Sequence, residues 1–190
     1  MKDLLTSLRL VALSMIICCV VYPAAMLAFA QTIVPFKADG SMLTNDQGQV
    51  IGSALIAQNF TRPEYFWPRP SAVDYNASAT GGSNLSPANP KVAERATEII
   101  ERYGLQEDQR IPADLVTTSG SGMDPHITTE AARFQAPRVA TARGLPTERV
   151  QRLIEQCTEV PTLRVFGGEP LVNVLKLNVA LDRLAQTKGQ

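Results

Sequence analysis

The sequence predicts one N-terminal transmembrane helix followed by a single mixed α/β (α+β) extracytoplasmic domain. The first observation behind this prediction is a run of 27 residues without a formal charge, Leu10 to Phe36. The second is that all twelve glycines follow position 39, which marks a change in the kind of segment. The third is that helical apolar patterns outnumber strand patterns after that point. A chain of 190 residues has room for one ordinary domain and one appendage.

The apolar segment is long enough to cross a bilayer. Its core runs from Leu10 to Ala30, and these 21 residues reach roughly 30 Å at a helical rise of about 1.5 Å each. Lys2 and Arg9 make the preceding head basic, which favours the cytoplasm. We therefore predict a cytoplasmic head (1–9), a transmembrane helix (10–34) and an extracytoplasmic, periplasmic domain (35–190). The triplet that begins at Ala28 is also a signal-peptidase pattern, so a secreted binding protein cleaved after Ala30 stays open.

Composition excludes several classes of function. Eighteen Lys and Arg balance eighteen Asp and Glu, so the chain lacks the basic excess of a protein that binds nucleic acid. One histidine and three cysteines are too few for the usual structural zinc site. Cys18 and Cys19 are adjacent and Cys157 is far away, which excludes a disulfide framework. We expect no tightly bound cofactor.

The first half of the domain reads as two strands and one helix. Gln49 to Gln58 is apolar and interrupted by glycine, which predicts a strand. Residues 59–89 are rich in Pro, Ser, Gly and Asn and predict a long ordered loop. A helix should begin after the N-cap Asn89 and end at Gly104. Ile111 to Thr117 predicts a second strand.

The second half of the domain reads as three helices. The first should begin near Thr129, capped by Thr128, and run towards Gly144. The second opens at Pro146 and has apolar residues at helical spacing, among which Cys157 is expected to be a small core residue. The third should extend from Val172 to Gln186.

One segment invites a hydrolase interpretation. Ser121, Asp124 and His126 lie close in sequence, and a nucleophilic serine needs a base and a group that orients the base. Neither the G-x-S-x-G elbow nor a second histidine is present. The alternative is a structural turn, in which Gly120 and Gly122 allow a tight bend while Asp124 and His126 satisfy backbone groups. We favour the turn and keep an exported hydrolase using Ser121 and His126 as the alternative.

Two further segments each allow two interpretations. Gly81, Gly82 and Ser83 could form a nest of amides for an anion, although a structural turn is the simpler explanation. Three adjacent aromatic residues and an arginine could anchor a partner protein or form a small satellite core under the long loop. These residues are Tyr65, Phe66, Trp67 and Arg69.

Six blocks, taken in order behind the apolar segment, are together specific. They are Asn59-Phe60, YFWPRPSA, GGSNL, IPADLVTTSGSGMDPHIT, PRVATARGL and EPLVNVLKLNVALDRL. This order resembles the KdpC family, one of the subunits of the Kdp-type potassium-transporting ATPase, over nearly the whole chain as far as Leu184. The resemblance implies a retained membrane anchor in the bacterial inner membrane.

The resemblance also implies a function. It implies a non-catalytic subunit of an ATP-driven, high-affinity potassium importer, whose partners are the channel-like KdpA, the P-type ATPase KdpB and the small KdpF. Members of the family are described as catalytic chaperones that raise the affinity of KdpB for ATP, so ATP is expected only through the complex. The nearest positions to a nucleotide signature are Gly81, Gly82, Ser83 and Gln135. Separately, the small residues Ala24, Ala25 and Ala28 predict close helix packing against a neighbouring protein in the lipid.

Overall fold

The computed structural model describes residues 2–45, 47–105, 109–160 and 168–186. They belong to two compact units, 1–42 and 43–190. The first is helical, and the second combines helices with two small sheets. This confirms the prediction of one apolar N-terminal helix followed by an α+β domain.

The first unit is dominated by one long helix. It comprises α1 (Lys2–Ile16), a π-helical turn (Ile17–Val21) and α2 (Tyr22–Ile33). The most apolar 18-residue stretch of this 32-residue helix has a mean hydropathy of 2.4, and the helix is the one candidate membrane span in the described parts of the chain. The helix also includes residues 2–9, which precede the predicted transmembrane segment. A short helix, α3 (Pro35–Ala38), follows.

The π-helical turn has a local cause. The N–H of Tyr22 donates to the carbonyl of Ile17, five residues earlier. Pro23 comes next and has no N–H to donate, so the hydrogen-bond register changes there. The wider turn is thus the way in which the helix accommodates Pro23 while remaining continuous.

The domain begins with a small sheet and a long loop. Strands β1 (Met42–Thr44) and β2 (Val50–Ser53) pair. The predicted strand from Gln49 to Gln58 is therefore too long, because the chain turns after Ser53. From 54 to 89 the chain forms neither helix nor strand, which confirms the predicted loop.

Helix α4 (Pro90–Tyr103) has the predicted ends. The side chain of Asn89 accepts a hydrogen bond from the N–H of Lys91, and Gly104 ends the helix at a φ of +65°. Both features are local and follow from residue type alone.

The predicted strand from Ile111 to Thr117 is wrong. The segment contains a short helix, α5 (Ala113–Val116), whose N-cap is Pro112. The carbonyl of Ala113 accepts hydrogen bonds from both the N–H and the hydroxyl of Thr117. Proline fixes φ near the helical value and lacks a ladder donor, so it favours this turn over a strand.

The remaining elements form the body of the domain. In chain order they are β3 (His126–Thr128), α6 (Thr129–Arg143), α7 (Thr147–Cys157), β4 (Thr158–Glu159), β5 (Leu171–Asn173) and α8 (Val174–Gln186). The second sheet has the order β3-β5-β4, and both pairings are antiparallel. The predicted last helix is shorter at its start, because Val172 pairs with Ile127 and Thr158 in the sheet.

The core lies between α6, α7, α8 and the buried face of the second sheet. Helix α6 contributes mainly alanines, which allow close approach of its neighbours. Helix α8 buries Val174, Leu177 and Leu181, which lie along one side of it. Each fully buried Val or Leu side chain contributes about 1.5–3 kcal/mol of transfer free energy. This core holds the long loop in place, since Phe66 is also completely buried in it.

Candidate functional site

Two buried amide side chains hold the aromatic loop against the helices. Gln135 of α6 accepts from the N–H of Trp67 at 2.8 Å and donates to its carbonyl at 3.0 Å. Asn178 of α8 does the same for Phe66, at 2.9 and 3.0 Å. Each amide thus supplies both hydrogen bonds that a neighbouring strand would supply. We call residues 65–67 with these two side chains the amide clamp.

The indole of Trp67 is enclosed by two arginines. The guanidinium of Arg138 lies 3.8 Å from the ring centroid and that of Arg102 lies 4.0 Å from it. The ring of Tyr103 contacts the indole at 4.9 Å between centroids. Burial lowers the pKa of Arg138 to about 10, and burial also raises the pKa of Tyr103. These stacked contacts fix the orientation of the loop.

The predicted anchor residues are largely used inside the domain. Phe66 is completely buried and Trp67 is 7% exposed, as in the satellite-core interpretation. Tyr65 is half-buried, and its hydroxyl lies 3.2 Å from Asp182. Arg69 is also partly buried and reaches the carboxylate of Asp124 at 3.5 Å. A role of these four residues in binding a partner stays a prediction, and the rings of Phe66 and Trp67 offer little surface for it.

The glycine loop packs against the segment 118–122. The N–H of Gly81 donates to the carbonyl of Ser121, and the hydroxyls of Ser83 and Thr118 lie 3.1 Å apart. A Cβ at Gly82 would lie 3.0 Å from the carbonyl oxygen of Gly120. The amide of Gly81 is therefore already used, and this close approach explains glycine at position 82.

The four residues of the predicted nucleotide set lie in different surroundings. Gln135 is 1% exposed, and both its amide oxygen and its amide nitrogen bind the backbone of Trp67. The loop at 81–83 contacts the segment 118–122 instead. The nucleotide role stays a prediction, and a nucleotide at Gln135 would have to displace the amide clamp.

The turn at 120–126 depends on one glycine and one aspartate. Gly122 has a φ of +71°, and a Cβ there would lie 2.6 Å from Val73 and 2.8 Å from the carbonyl oxygen of Gly81. Gly120 has open space around its Cα. The carboxylate of Asp124 accepts the N–H of His126 at 3.0 Å and lies 3.2 Å from the ring Nδ1.

The electrostatics of this turn favour an ionised aspartate. Burial opposes the charge of Asp124, but the hydrogen bonds from His126 and the nearby charges outweigh it, so the pKa of Asp124 is lowered. The hydroxyl of Ser121 accepts the N–H of Met123. Among the described hydrogen bonds, none joins Ser121 to His126, so this arrangement lacks the contact that a serine nucleophile requires.

The described residues bear on whether a group of side chains could bind a metal ion. Within these ranges, no group of three or more His, Cys, Asp or Glu side chains is arranged to hold a metal ion.

The small residues of the N-terminal helix, Ala24, Ala25 and Ala28, are exposed on α2. Ala30 belongs to the same helix, so the alternative cleavage site lies inside regular structure.

Taken together, the two units comprise one apolar helix of membrane-spanning length and one α+β domain, which is the arrangement of a single-pass membrane protein. The family model for the c chain of K+-transporting ATPase, KdpC, matches residues 4–183. The chain therefore belongs to the KdpC family and is a subunit of a potassium-transporting ATPase complex.

Three relatives show the extent of this similarity. The potassium-transporting ATPase KdpC subunit of Parvibaculum lavamentivorans is 49% identical and covers 100% of both chains. The KdpC subunit of Synechocystis sp. is 46% identical over 95% of this chain and 98% of its own. That of Myxococcus xanthus is 47% identical over 94% of this chain and 87% of its own. Similarity of this extent includes both the apolar helix and the domain.

Sequence reasoning missed Asn178 and the role of Gln135. Asn178 contacts Phe66 across 112 residues, and Gln135 contacts Trp67 across 68 residues. A polar residue beside the apolar stripe of a helix is the one signal that would have indicated a buried partner.

Proposed function

We propose that this chain is a non-catalytic subunit that stabilises the assembly of the potassium importer through its membrane helix and its domain. The partners are KdpA, KdpB and KdpF, together with membrane lipid. The observation that carries this proposal is the long apolar helix. None of its most apolar 18 residues is buried within the chain. A helix of this kind needs lipid or another protein around it.

Small residues on α2 support a protein contact in the membrane. Ala24, Ala25 and Ala28 share one face at helical spacing, and small residues let two helix backbones approach closely. We propose that this face packs against a neighbouring protein of the complex. The double change Ala24→Leu and Ala28→Leu should then reduce co-purification of the complex, whereas Ala12→Leu is the matched control elsewhere on the same helix. Equal yields of complex from both variants would contradict the proposed contact.

We place the domain outside the cytoplasm of a bacterial inner membrane, with the N-terminus inside. The basis is the positive charge of Lys2 and Arg9 before the apolar helix. In this orientation the domain is positioned over the external mouth of the channel-like KdpA, where it can stabilise or guard the entry of potassium. The change Arg69→Ala tests whether the aromatic loop contributes, since the side chain of Arg69 is partly exposed. Unchanged assembly and transport would exclude that part of the proposal.

Orientation is tested by labelling a single cysteine. Cys18, Cys19 and Cys157 are replaced, and Ala88, which lies exposed just before α4, becomes cysteine. An impermeant maleimide should label the full chain only from outside in vesicles of known orientation. Labelling only from the cytoplasmic side would overturn the topology. The mass of the same chain distinguishes a retained anchor from cleavage after Ala30.

We further propose that any effect on the ATP affinity of KdpB is indirect. An exported domain has no contact with cytoplasmic ATP, so the effect must be a coupling free energy carried through the complex. Gly81, Gly82 and Ser83 would then have a structural role. Substitution of Ser83 by alanine should leave the ATP affinity of the complex unchanged, while a loss would support direct contact.

A further inference from the structure

His126 lies between two carboxylates that come from different parts of the fold. Its Nδ1 is 3.2 Å from Asp124, which precedes β3, and its Nε2 is 3.9 Å from Glu159, which ends β4. Strand β5 separates β3 from β4, and the register pairs His126 with Asn173 and Glu159 with Leu171. Since directly opposite residues share a face, the imidazole and the Glu159 carboxylate project from the same side of the sheet.

This arrangement distinguishes the two protonation states of the ring. A neutral imidazole has one N–H, so only one of its nitrogens donates while the other presents a lone pair. If the ring proton is on Nδ1 and is donated in a hydrogen bond to Asp124, the lone pair of Nε2 faces the negative charge of Glu159. The imidazolium has an N–H on both nitrogens and satisfies both carboxylates together. The three side chains are 29–48% exposed, so solvent protons reach them.

Other charged groups act on the same pair of carboxylates. Lys176 of α8 lies 2.7 Å from Glu159, and Arg69 lies 3.5 Å from Asp124. Cys157 ends α7 within electrostatic range of Glu159 and Lys176, and burial raises the pKa of its thiol. Lys176 and Arg69 thus each contact one of the two carboxylates. Among these side chains, the imidazole of His126 is the one that lies against both carboxylates, and histidine is the residue type that serves as a proton switch in proteins.

We propose that His126 is a pH-dependent latch that joins β3 to β4 across the sheet. When protonated, it binds Asp124 and Glu159 and holds the edge strand β4 in place; when neutral, it releases Glu159. The sign follows from linkage: a contact that favours the protonated ring stabilises the sheet at low pH and is lost as the ring deprotonates. The latch is a property of the domain, so its failure would leave the proposed assembly role untouched.

The ring itself can be titrated without ambiguity. His126 is the only histidine of the chain, so a full-length, untagged protein labelled with ¹⁵N-histidine in nanodiscs gives a single imidazole signal. We expect Glu159→Gln to lower the titration midpoint of that signal, because one of the two carboxylates that favour the proton is gone. Glu148→Gln is the matched control, since Glu148 lies in the first turn of α7, roughly 14 Å along the helix axis from Cys157 at the other end.

Hydrogen exchange tests the consequence for β4. After correction for the intrinsic pH dependence, the segment containing Thr158 and Glu159 should exchange more slowly at pH 5.5 than at pH 8 in the wild-type chain. This difference should disappear in His126→Gln, which keeps a hydrogen-bonding side chain without a titratable charge. The latch is overturned if Glu159→Gln and Glu148→Gln shift the midpoint equally, or if His126→Gln retains the pH-dependent exchange.

Discussion

The amide clamp makes Gln135 the most informative side chain to remove. In Gln135→Leu, the N–H and the carbonyl of Trp67 lose the partners that now lie at 2.8 and 3.0 Å. A buried polar group left without a partner costs about 1–3 kcal/mol, so two such groups cost about 2–6 kcal/mol. Leucine is close in size to glutamine, so the loss of hydrogen bonds dominates over any change in packing.

The chain contains its own probe for this measurement. Trp67 is the only tryptophan, so the fluorescence of the full chain in nanodiscs reports the unfolding of the domain at the clamp itself. Urea titration should give a free energy of unfolding that is lower than that of the wild type by the stated amount. In thermal unfolding, each kcal/mol lost from the free energy of unfolding should lower the Tm by about 2–4 °C for a domain of this size.

The control for this prediction is Gln151→Leu, the same change at an exposed position of α7. Exposed substitutions usually stay within about 0.5 kcal/mol of the wild type. If Gln135→Leu stayed within that range, the clamp would contribute little and the reasoning would be refuted. If the variant instead lowered the ATP affinity of the complex at unchanged stability, the nucleotide interpretation of Gln135 would gain support.

Three further predictions concern the turn, a helix cap and a thiol. Gly122→Ala should destabilise the domain by at least about 1–2 kcal/mol, because its φ is +71° and Val73 is too close, while Gly120→Ala should be nearly neutral in the same urea titration. Thr128→Ala should cost about 1 kcal/mol through loss of the cap on α6, and Thr128→Ser should restore most of it. With Cys18 and Cys19 replaced, Cys157 should react with iodoacetamide at pH 8 more slowly than a free thiol, because burial raises its pKa and lowers the thiolate fraction; a rate equal to that of the free thiol would contradict this.

The sequence predicted elements whose ends are set by adjacent residues. Asn89 and Gly104 bound α4 as expected, since a cap needs only the right side chain one turn away. The segment from 111 to 117 does not form the predicted strand, because its structure depends on a single residue, Pro112. Its apolar residues fit a strand, but Pro112 starts a helical turn that is only four residues long. A helix so short leaves no periodicity to detect.

Contacts between distant residues were beyond the reach of sequence patterns. The three adjacent aromatic residues at 65–67 make the loop unusual in the sequence. The sequence alone does not distinguish a partner anchor from a satellite core, because the residues that contact the loop lie on α6 and α8. Only the fold brings Gln135 and Asn178 to the loop backbone. The cross-strand pair of His126 and Glu159 has the same origin, since β3 and β4 meet only through β5.

The internal use of these polar groups has a thermodynamic consequence for the proposed chaperone role. Because Gln135 and the N–H of Gly81 are engaged within the domain, an effect of this chain on ATP binding is best described as coupling between separate sites. Coupling free energies are reciprocal, so a chain that raises the ATP affinity of its complex by some factor must itself be bound more tightly by that factor when ATP is present. The dissociation constant of this chain from the rest of the complex, measured with and without a non-hydrolysable ATP analogue, must therefore change by the same ratio as the ATP affinity. An unequal ratio would mean that ATP also binds the dissociated chain or that the complex has changed its state between the two measurements.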